Sequence, residues 1–404
     1  MITRVDIKNF KAIESASVEL TPIHLLIGPN DSGKTSVLEA IAAICRSVDH
    51  DATSSFLGRW QGRELVNLSA EDPEVEISLT LEDAGGEIKT RLIAEFPRTG
   101  NSVTWKSLDV SATGERYGRV LDGIQMRNRP MTLNSQFSIS AASKLAGERS
   151  IQARSHFHWP MAEILIEKLA NSWYLRWSAR NLALPTVLNA QRRFRIESNG
   201  FGLPTLIDDL LNYDRHRFGD LEREFIELFP DVRSIALVQQ PGYDSPVDQP
   251  DETLPLKPSP GKHVVFRLRQ SNYDLPASQA AEGMLYVLGY LALLYLPDPP
   301  RVLLIEEPEN GIHPHRVADI VRLLRRLIER HPSTQVVLTS HSPYLVDAFE
   351  PHEVTWCHRD PEDNRVRLTR LDTLPEVQRS LSVFSLGEIW TGELETPPAA
   401  AESR

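Results

Sequence analysis

Cysteine is almost absent from this chain: 404 residues contain only Cys45 and Cys357. The two lie far apart and lack metal-ligand spacing, so neither a disulfide framework nor a zinc site is encoded, and a reducing, cytoplasmic setting is expected. Long hydrophobic runs are missing too. The longest, residues 284–296 (MLYVLGYLALLYL), has 13 residues, and as a helix it covers roughly 20 Å against the roughly 30 Å of a bilayer core. It predicts a buried helix and no membrane span. The opening MITRVDIKNF has no charged-then-apolar signal architecture, so export is not expected. No long heptad stretch occurs, which excludes extended coiled-coil arms, and no internal repeat is visible. Basic excess is lacking as well, since 44 Lys and Arg against 55 Asp and Glu give a net charge of −11. That balance speaks against indiscriminate wrapping of nucleic acid and leaves only a local basic groove open. What remains, 41% hydrophobic and 25% charged residues, is ordinary for a soluble globular protein.

Along the chain, residues 2–7 alternate as a strand, residues 9–12 turn, and residues 23–27 (IHLLI) form a continuous apolar run of the buried-strand type. Residues 51–105 carry short alternating runs, such as 75–81 and 88–96, and predict an antiparallel β lobe. Residues 106–185 read as an insertion of unassigned role, basic and Ser-rich at first and amphipathic over 161–177. Residues 186–259 combine helical patterns over 206–228, a strand over 232–239 and a mobile Pro-rich loop. From residue 260 strands and helices alternate: strand 264–268, helix 282–296, strand 301–305, helix 314–330, strand 335–339, a short helix from Pro343, and a hairpin around PEDN. That order predicts a largely parallel sheet with helices on its faces. The tail 391–404 is expected to be disordered. The domain organisation so expected is one discontinuous core from residues 1–50 and 260–390, with the middle inserted as a lobe.

Gly28-Pro29-Asn30-Asp31-Ser32-Gly33-Lys34-Thr35 matches G-x-x-x-x-G-K-[ST] in full and stands between a buried strand and a helix. Chance produces such a match in a chain this long on the order of one time in a hundred. The glycines let backbone N–H groups turn inward on nucleotide phosphates; Lys34 supplies a point charge and the Thr35 hydroxyl a ligand for Mg²⁺.

A second signal is Val302-Leu303-Leu304-Ile305-Glu306-Glu307-Pro308-Glu309-Asn310, which sets two carboxylates at the end of a buried strand. Carboxyl ends of parallel strands face the ligand crevice, so this pair is expected to converge on the Gly28 loop, with Glu306 toward Mg²⁺ and Glu307 toward an attacking water as general base. Taken alone, the pair could equally begin a polar loop. Thr339-Ser340-His341 ends the next buried strand, where a histidine can meet a γ-phosphate or the lytic water.

Three segments together resemble the ABC-class ATPases: GPNDSGKTS is similar to Walker A, LLIEEPENGIHP to Walker B with its D-loop, and LTSHSP to the switch-histidine segment. The opening RVDIKNFKAIESASVEL resembles the starts of the RecF, structural-maintenance-of-chromosomes (SMC) and overcoming-lysogenization-defect (OLD) families. The resemblance implies an α/β P-loop NTPase with an ABC-type head, an antiparallel β lobe and an inserted mixed segment. It further implies ATP and Mg²⁺ as cofactors, with residues Asn30 to Ser36 wrapping the phosphates, Glu307 polarising the lytic water, and His341 sensing the γ-phosphate. Glu309 and Asn310 would lie at the interface of a homodimer. Phe10 and Lys11 stand where such families contact base or phosphates, and Gln191 is a Q-loop candidate by position alone. The signature segment departs from the pattern: where relatives carry Ser-x-Gly, this chain has Ala280-Ala281-Glu282-Gly283. Backbone N–H groups freed by Gly283, or Ser278 after a register shift, would have to serve the anion in place of the missing hydroxyl.

Only 63 residues follow His341, so the Toprim metal domain of OLD-type nucleases is not expected, and Asp360, Glu362 and Asp363 read as a solvated acidic turn. The leading expectation is thus a Mg²⁺-dependent ATPase dimer that switches a separate effector, such as a nuclease in defence or DNA repair. The alternative is an ATP-gated DNA clamp using Arg192, Arg193, Arg195, Arg325 and Arg326. A small-metabolite kinase would explain the phosphate loop and leave IEEPEN and SHSP without a role.

Overall fold

A computed structural model of the chain describes residues 1–48, 50, 52–56, 62–83, 86–96, 103–114, 118–122, 165–187, 193–244 and 260–394. These divide into two compact units that cut across the boundaries expected from sequence. The first comprises Met1–Trp173, Pro300–Leu304 and Ser333–Arg404; the second comprises Tyr174–Pro299 and Ile305–Pro332. Among the described residues no helix is long and apolar enough to cross a membrane. The 13-residue apolar run forms the buried helix Glu282–Leu294.

The first unit contains one six-stranded sheet whole and most of a second. One is antiparallel, in the order β2-β1-β4-β5-β6-β7, built from β1 (Ile2–Phe10), β2 (Ile13–Glu19), β4 (Glu74–Asp83), β5 (Gly86–Glu95), β6 (Thr104–Gly114) and β7 (Gly118–Asp122). Alternation makes the strands: Val75, Ile77, Leu79 and Leu81 turn inward from β4, and Ile88, Leu92 and Ala94 do so from β5, with polar neighbours outward. The sheet corrects the sequence reading in two places. Residues 13–19 form an unforeseen strand paired with β1, and 106–122, expected within the insertion, largely extend the β lobe.

The other sheet runs β16-β15-β3-β14-β13-β8. Its members are β3 (Ile23–Ile27), β8 (Ser172–Leu175), β13 (Val302–Glu306), β14 (Gln335–Ser340), β15 (Val354–Arg359) and β16 (Val366–Arg370), of which the first unit includes 302–304 and 172–173. β3 pairs in parallel with both β14 and β15. Because both faces of β3 are covered, all five of its residues are buried and its sequence shows no alternation. The buried Gln335 side chain ties the two sheets: its Oε1 accepts from Ile2 N at 2.9 Å, and its Nε2 donates to Ile2 O at 2.7 Å and Thr21 O at 3.0 Å. Of the amphipathic stretch expected over 161–177, residues 165–169 are helical, and the chain then enters β8.

His24 is a fully buried titratable group in β3. Thr21 N donates to its Nδ1 at 3.4 Å, which leaves Nε2 as the donor to Thr355 Oγ1 at 3.0 Å. Burial, with Arg370 as a second cause, pushes its pKa from 6.5 down to about 3. The unfolded chain therefore binds a proton near pH 6.5 that the folded chain refuses. The stability from neutral His24 is complete above that pH and is lost as pH falls toward 3, with a slope of at most about 1.4 kcal/mol per pH unit. Urea melts between pH 7 and pH 4 should show this slope, and His24→Gln should flatten it.

In the second unit, Asp214 ends the helix Leu203–Tyr213 and caps the next, Arg215–Leu228, its Oδ1 accepting from His216 N and Arg217 N. Strands β10 (Val232–Pro241), β11 (Pro260–Leu268), β12 (Asp274–Pro276) and the short β9 (Thr186–Val187) form a small antiparallel sheet. Most of the Pro-rich loop between β10 and β11 lies outside the described residues, as do the tail from residue 395 and most of the insertion. The helix Pro314–Arg330 buries Val317, Ile320, Val321, Leu324 and Leu327 along one stripe. On its other side Arg326 makes two 2.8 Å bonds to Glu224, which also accepts from the Tyr295 hydroxyl.

Candidate functional site

The loop between β3 and helix α1 (Lys34–Arg46) is shaped by its glycines. Gly28 has φ 145°, and a Cβ there would lie 2.0 Å from the carbonyl oxygen of Cys357. Asp31 follows at φ 62°, and Gly33 caps the helix in the left-handed region at φ 94° with the Val366 side chain 3.0 Å from where its Cβ would be. Lys34 is buried, and its Nζ donates to Gly28 O at 2.6 Å and Pro29 O at 2.8 Å, which holds the ammonium across the loop mouth. Arg359 Nε fixes the outer rim by donating to Asp31 O at 3.1 Å. Pro29, Asn30 and Asp31 are exposed, Thr35 half-buried and Ser36 buried. The hydroxyl of Ser32 is buried without a hydrogen-bond partner among the described residues. A buried hydroxyl so placed fits an anionic oxygen seated in the loop. The thiol of Cys357 beneath the loop is pushed up to about 12 by burial, against the opposing charge of Lys34, and is inert as a nucleophile.

β14 delivers His341 to the same edge. Ser340 is in register with Ile27 in the parallel pair β14–β3, so His341 and Gly28 leave the sheet from neighbouring positions. His341 is exposed, and Ser340 Oγ accepts from Ser342 N at 2.9 Å, which turns the chain sharply after it.

In the second unit, Glu306 ends β13 and is buried. Its Oε2 accepts from the Tyr174 hydroxyl at 3.0 Å and lies 3.4 Å from Arg176 Nε. Glu307 follows in the left-handed region at φ 48°. A non-glycine residue there costs on the order of 1 kcal/mol or more, a strain that proteins concentrate at functional positions. The conformation starts a tight turn: Asn310 N donates to Glu307 O at 3.1 Å, Asn310 Nδ2 to Glu307 Oε2 at 2.7 Å, and Ile312 N to Glu309 O at 3.0 Å. Gly311 closes it at φ 72°, where a Cβ would lie 2.3 Å from Glu282 Oε2. The structure thereby joins Glu282 of the signature segment to the turn carrying Glu309 and Asn310. Ala281 is the extended N-cap of the Glu282–Leu294 helix, and Gly283 in its first turn faces open space. Ser278 lies in a short 3₁₀ turn before it.

Several sequence-derived candidates change role. Phe10 is 1% exposed and packs on Phe56 with ring centroids 6.0 Å apart, so it belongs to the core of the lobe and offers no face to a base. Lys11 pairs with Glu39 on α1. Gln191 and Arg192 lie outside the described residues. Arg193 and Arg195 are exposed, whereas Arg326 is committed to Glu224. In the acidic turn Asp360 and Asp363 pair with Arg367, and no cluster of His, Cys, Asp and Glu able to hold a metal occurs among the described residues. Tyr174 and Arg176 went unread in the sequence. Their signal was the alternation of buried Trp173, Leu175 and Trp177 with the residues between them, obscured by the helical pattern just upstream.

Residues 134–347, just over half of the chain, match the family described as "AAA domain, putative AbiEii toxin, Type IV TA system", and residues 1–183 match "AAA ATPase domain". The chain belongs to this AAA-domain family, within the RecF-, SMC- and OLD-like class of ABC-type ATPases. An OLD nuclease from Thermus scotoductus is 21% identical over 91% of this chain and 63% of its own length. The DNA replication and repair protein RecF of Klebsiella pneumoniae is 39% identical over 22% of this chain and 27% of its own. The chain thus spans less than two thirds of either relative. A solved Smc head bound to the C-winged helix domain of ScpA superposes with TM-score 0.50 at 12% identity, covering 92% of this chain and 99% of that one, a likeness of fold.

Proposed function

We propose that this chain binds and hydrolyses ATP with Mg²⁺, in a homodimer whose closure switches a separate effector protein. The observation that carries the reading is the phosphate loop, with its glycine-shaped backbone, the ammonium of Lys34 across its mouth, the unpartnered Ser32 hydroxyl, and His341 leaving the sheet beside it. In this reading Asn30 to Ser36 wrap the phosphates, and Thr35 and Glu306 hold the metal. A divalent cation held by them would supply charge neutralisation for phosphoryl transfer. Glu307 takes the proton of the attacking water, and His341 orders the γ-phosphate. Ala281, Glu282 and Gly283, with Glu309 and Asn310, face the ATP bound by the partner subunit. The missing serine hydroxyl leaves backbone N–H groups to do this work, so slow turnover is expected.

Similarity to an OLD nuclease makes a nuclease acting in defence or repair the effector of choice. Two buried, unpaired cysteines suit a cytoplasmic setting. The DNA-clamp alternative keeps the exposed Arg193 and Arg195 but loses Arg326 to Glu224, and the net charge of −11 weighs against it. Phosphate release should occur with Mg²⁺ and stop in EDTA, and light scattering should show the mass doubling on addition of ATP. Absence of nucleotide binding would sink the reading. Salt-dependent retention of duplex DNA only in the presence of ATP would replace it with the clamp.

A further inference from the structure

The end of β8 is built as a support for Glu306. Trp177 is buried, accepts from the Tyr286 hydroxyl through its carbonyl at 3.1 Å, and seats its ring where Gly289 lacks a Cβ: one added there would come 2.7 Å from the indole. With Trp177 anchored and Leu175 buried, the alternation of β8 continues past its end at Leu175, and Tyr174 and Arg176 both meet Glu306. Both address one oxygen, Oε2: the hydroxyl at 3.0 Å and the guanidinium nitrogen at 3.4 Å. The two donors differ in charge and exposure. Tyr174 is neutral and half-buried, whereas the Arg176 side chain is 73% exposed.

The geometry points to Tyr174 and Arg176 as positioning residues that set the affinity of Glu306 for a divalent cation, in opposite senses. This rests on the reading of Glu306 as a metal ligand. A neutral donor fixes the carboxylate orientation without reducing its charge, so it favours a cation arriving at the same group. A guanidinium neutralises that charge, so it competes with the cation, and its weight is limited by solvent and salt. The segment from β8 to Arg176 thereby holds the carboxylate ready through one residue and keeps it charge-compensated through the other. Neither residue touches the reacting atoms in this account.

The test is binding of a fluorescent ATP analogue to the full chain, titrated with Mg²⁺ and repeated in EDTA. Tyr174→Phe should raise the half-saturating Mg²⁺ concentration about tenfold or more, the usual scale for loss of a group that orients a metal ligand. Arg176→Gln should lower it about two- to fivefold, an effect that shrinks at high salt. Binding in EDTA should be the same for all three proteins. Unchanged half-saturation in both variants, or a shift of both in one direction as general loosening would produce, overturns the assignment while leaving ATP binding intact. A parent chain whose nucleotide binding ignores Mg²⁺ overturns the metal role of Glu306 together with it. Arg176 is exposed enough to be replaced without refolding the strand, so its arm decides the matter even if the Tyr174 variant is unstable.

Discussion

Glu307→Gln is expected to cut ATP hydrolysis at least about a hundredfold, the lower end of what a positioned general base supplies, and to leave nucleotide binding within about twofold. The substitution isolates chemistry from structure. Glutamine keeps the length of the side chain, and its Oε1 can still accept from Asn310 Nδ2, which now donates to Glu307 Oε2 at 2.7 Å. The left-handed backbone at φ 48° is no more strained for glutamine than for glutamate. The turn through Gly311 should therefore survive, and what disappears is the capacity to accept a proton. Single-turnover phosphate release, beside filter binding of the nucleotide, separates the two quantities. Release within twofold of the parent would remove Glu307 from the role of base.

Gly28→Ala should abolish high-affinity nucleotide binding, with a loss of at least about tenfold, and destabilise the fold by about 1–3 kcal/mol through overpacking. The added methyl would lie 2.0 Å from the Cys357 carbonyl oxygen and 2.9 Å from Ser32 Oγ, at a φ of 145° that side chains avoid. Relief requires β15 or the loop to move, because the first of these contacts is with backbone. Gly28 O is also the nearer acceptor of Lys34 Nζ, so displacing it moves the ammonium with it. Gly219→Ala is the matched control. Its Cβ meets nothing within 4 Å, and the residue lies within the helix Arg215–Leu228, so a gain of about 0.5–1 kcal/mol is expected. Calorimetric titration with ATP and a thermal melt read both variants; full-strength binding by the Gly28 variant would show that the loop does not need its glycine.

The parts of the site that were legible in the sequence are those that local chemistry dictates. GPNDSGKT is readable because a loop that turns its amides inward needs glycine at fixed spacing, and β3 and β14 are readable because both of their faces are buried. Glu306 and Glu307 could be read as a pair at a strand end, but the left-handed twist that sends them apart could not. β2 was missed because Ser15, Ala16 and Ser17 blur its alternation, and because the turn that returns it to β1 uses Lys11 at φ 49° where a glycine would have marked it. Phe10 was misassigned because an aromatic at a strand end carries no mark of which face it takes, and Phe56 and Phe96 decide that from far along the chain. Tyr174 illustrates the general limit: its partner Glu306 is 132 residues away, and no spacing rule connects them.

The Glu282–Leu294 helix is keyed to the segment that follows β8 in the way a shaft is keyed to a gear. The notch at Gly289 receives the Trp177 ring, and one turn earlier the Tyr286 hydroxyl grips the Trp177 carbonyl. The helix therefore cannot spin about its own axis without dragging Trp177 along. A turn of this helix at Glu282 or Gly283 would be felt first at Trp177, the residue next to Arg176.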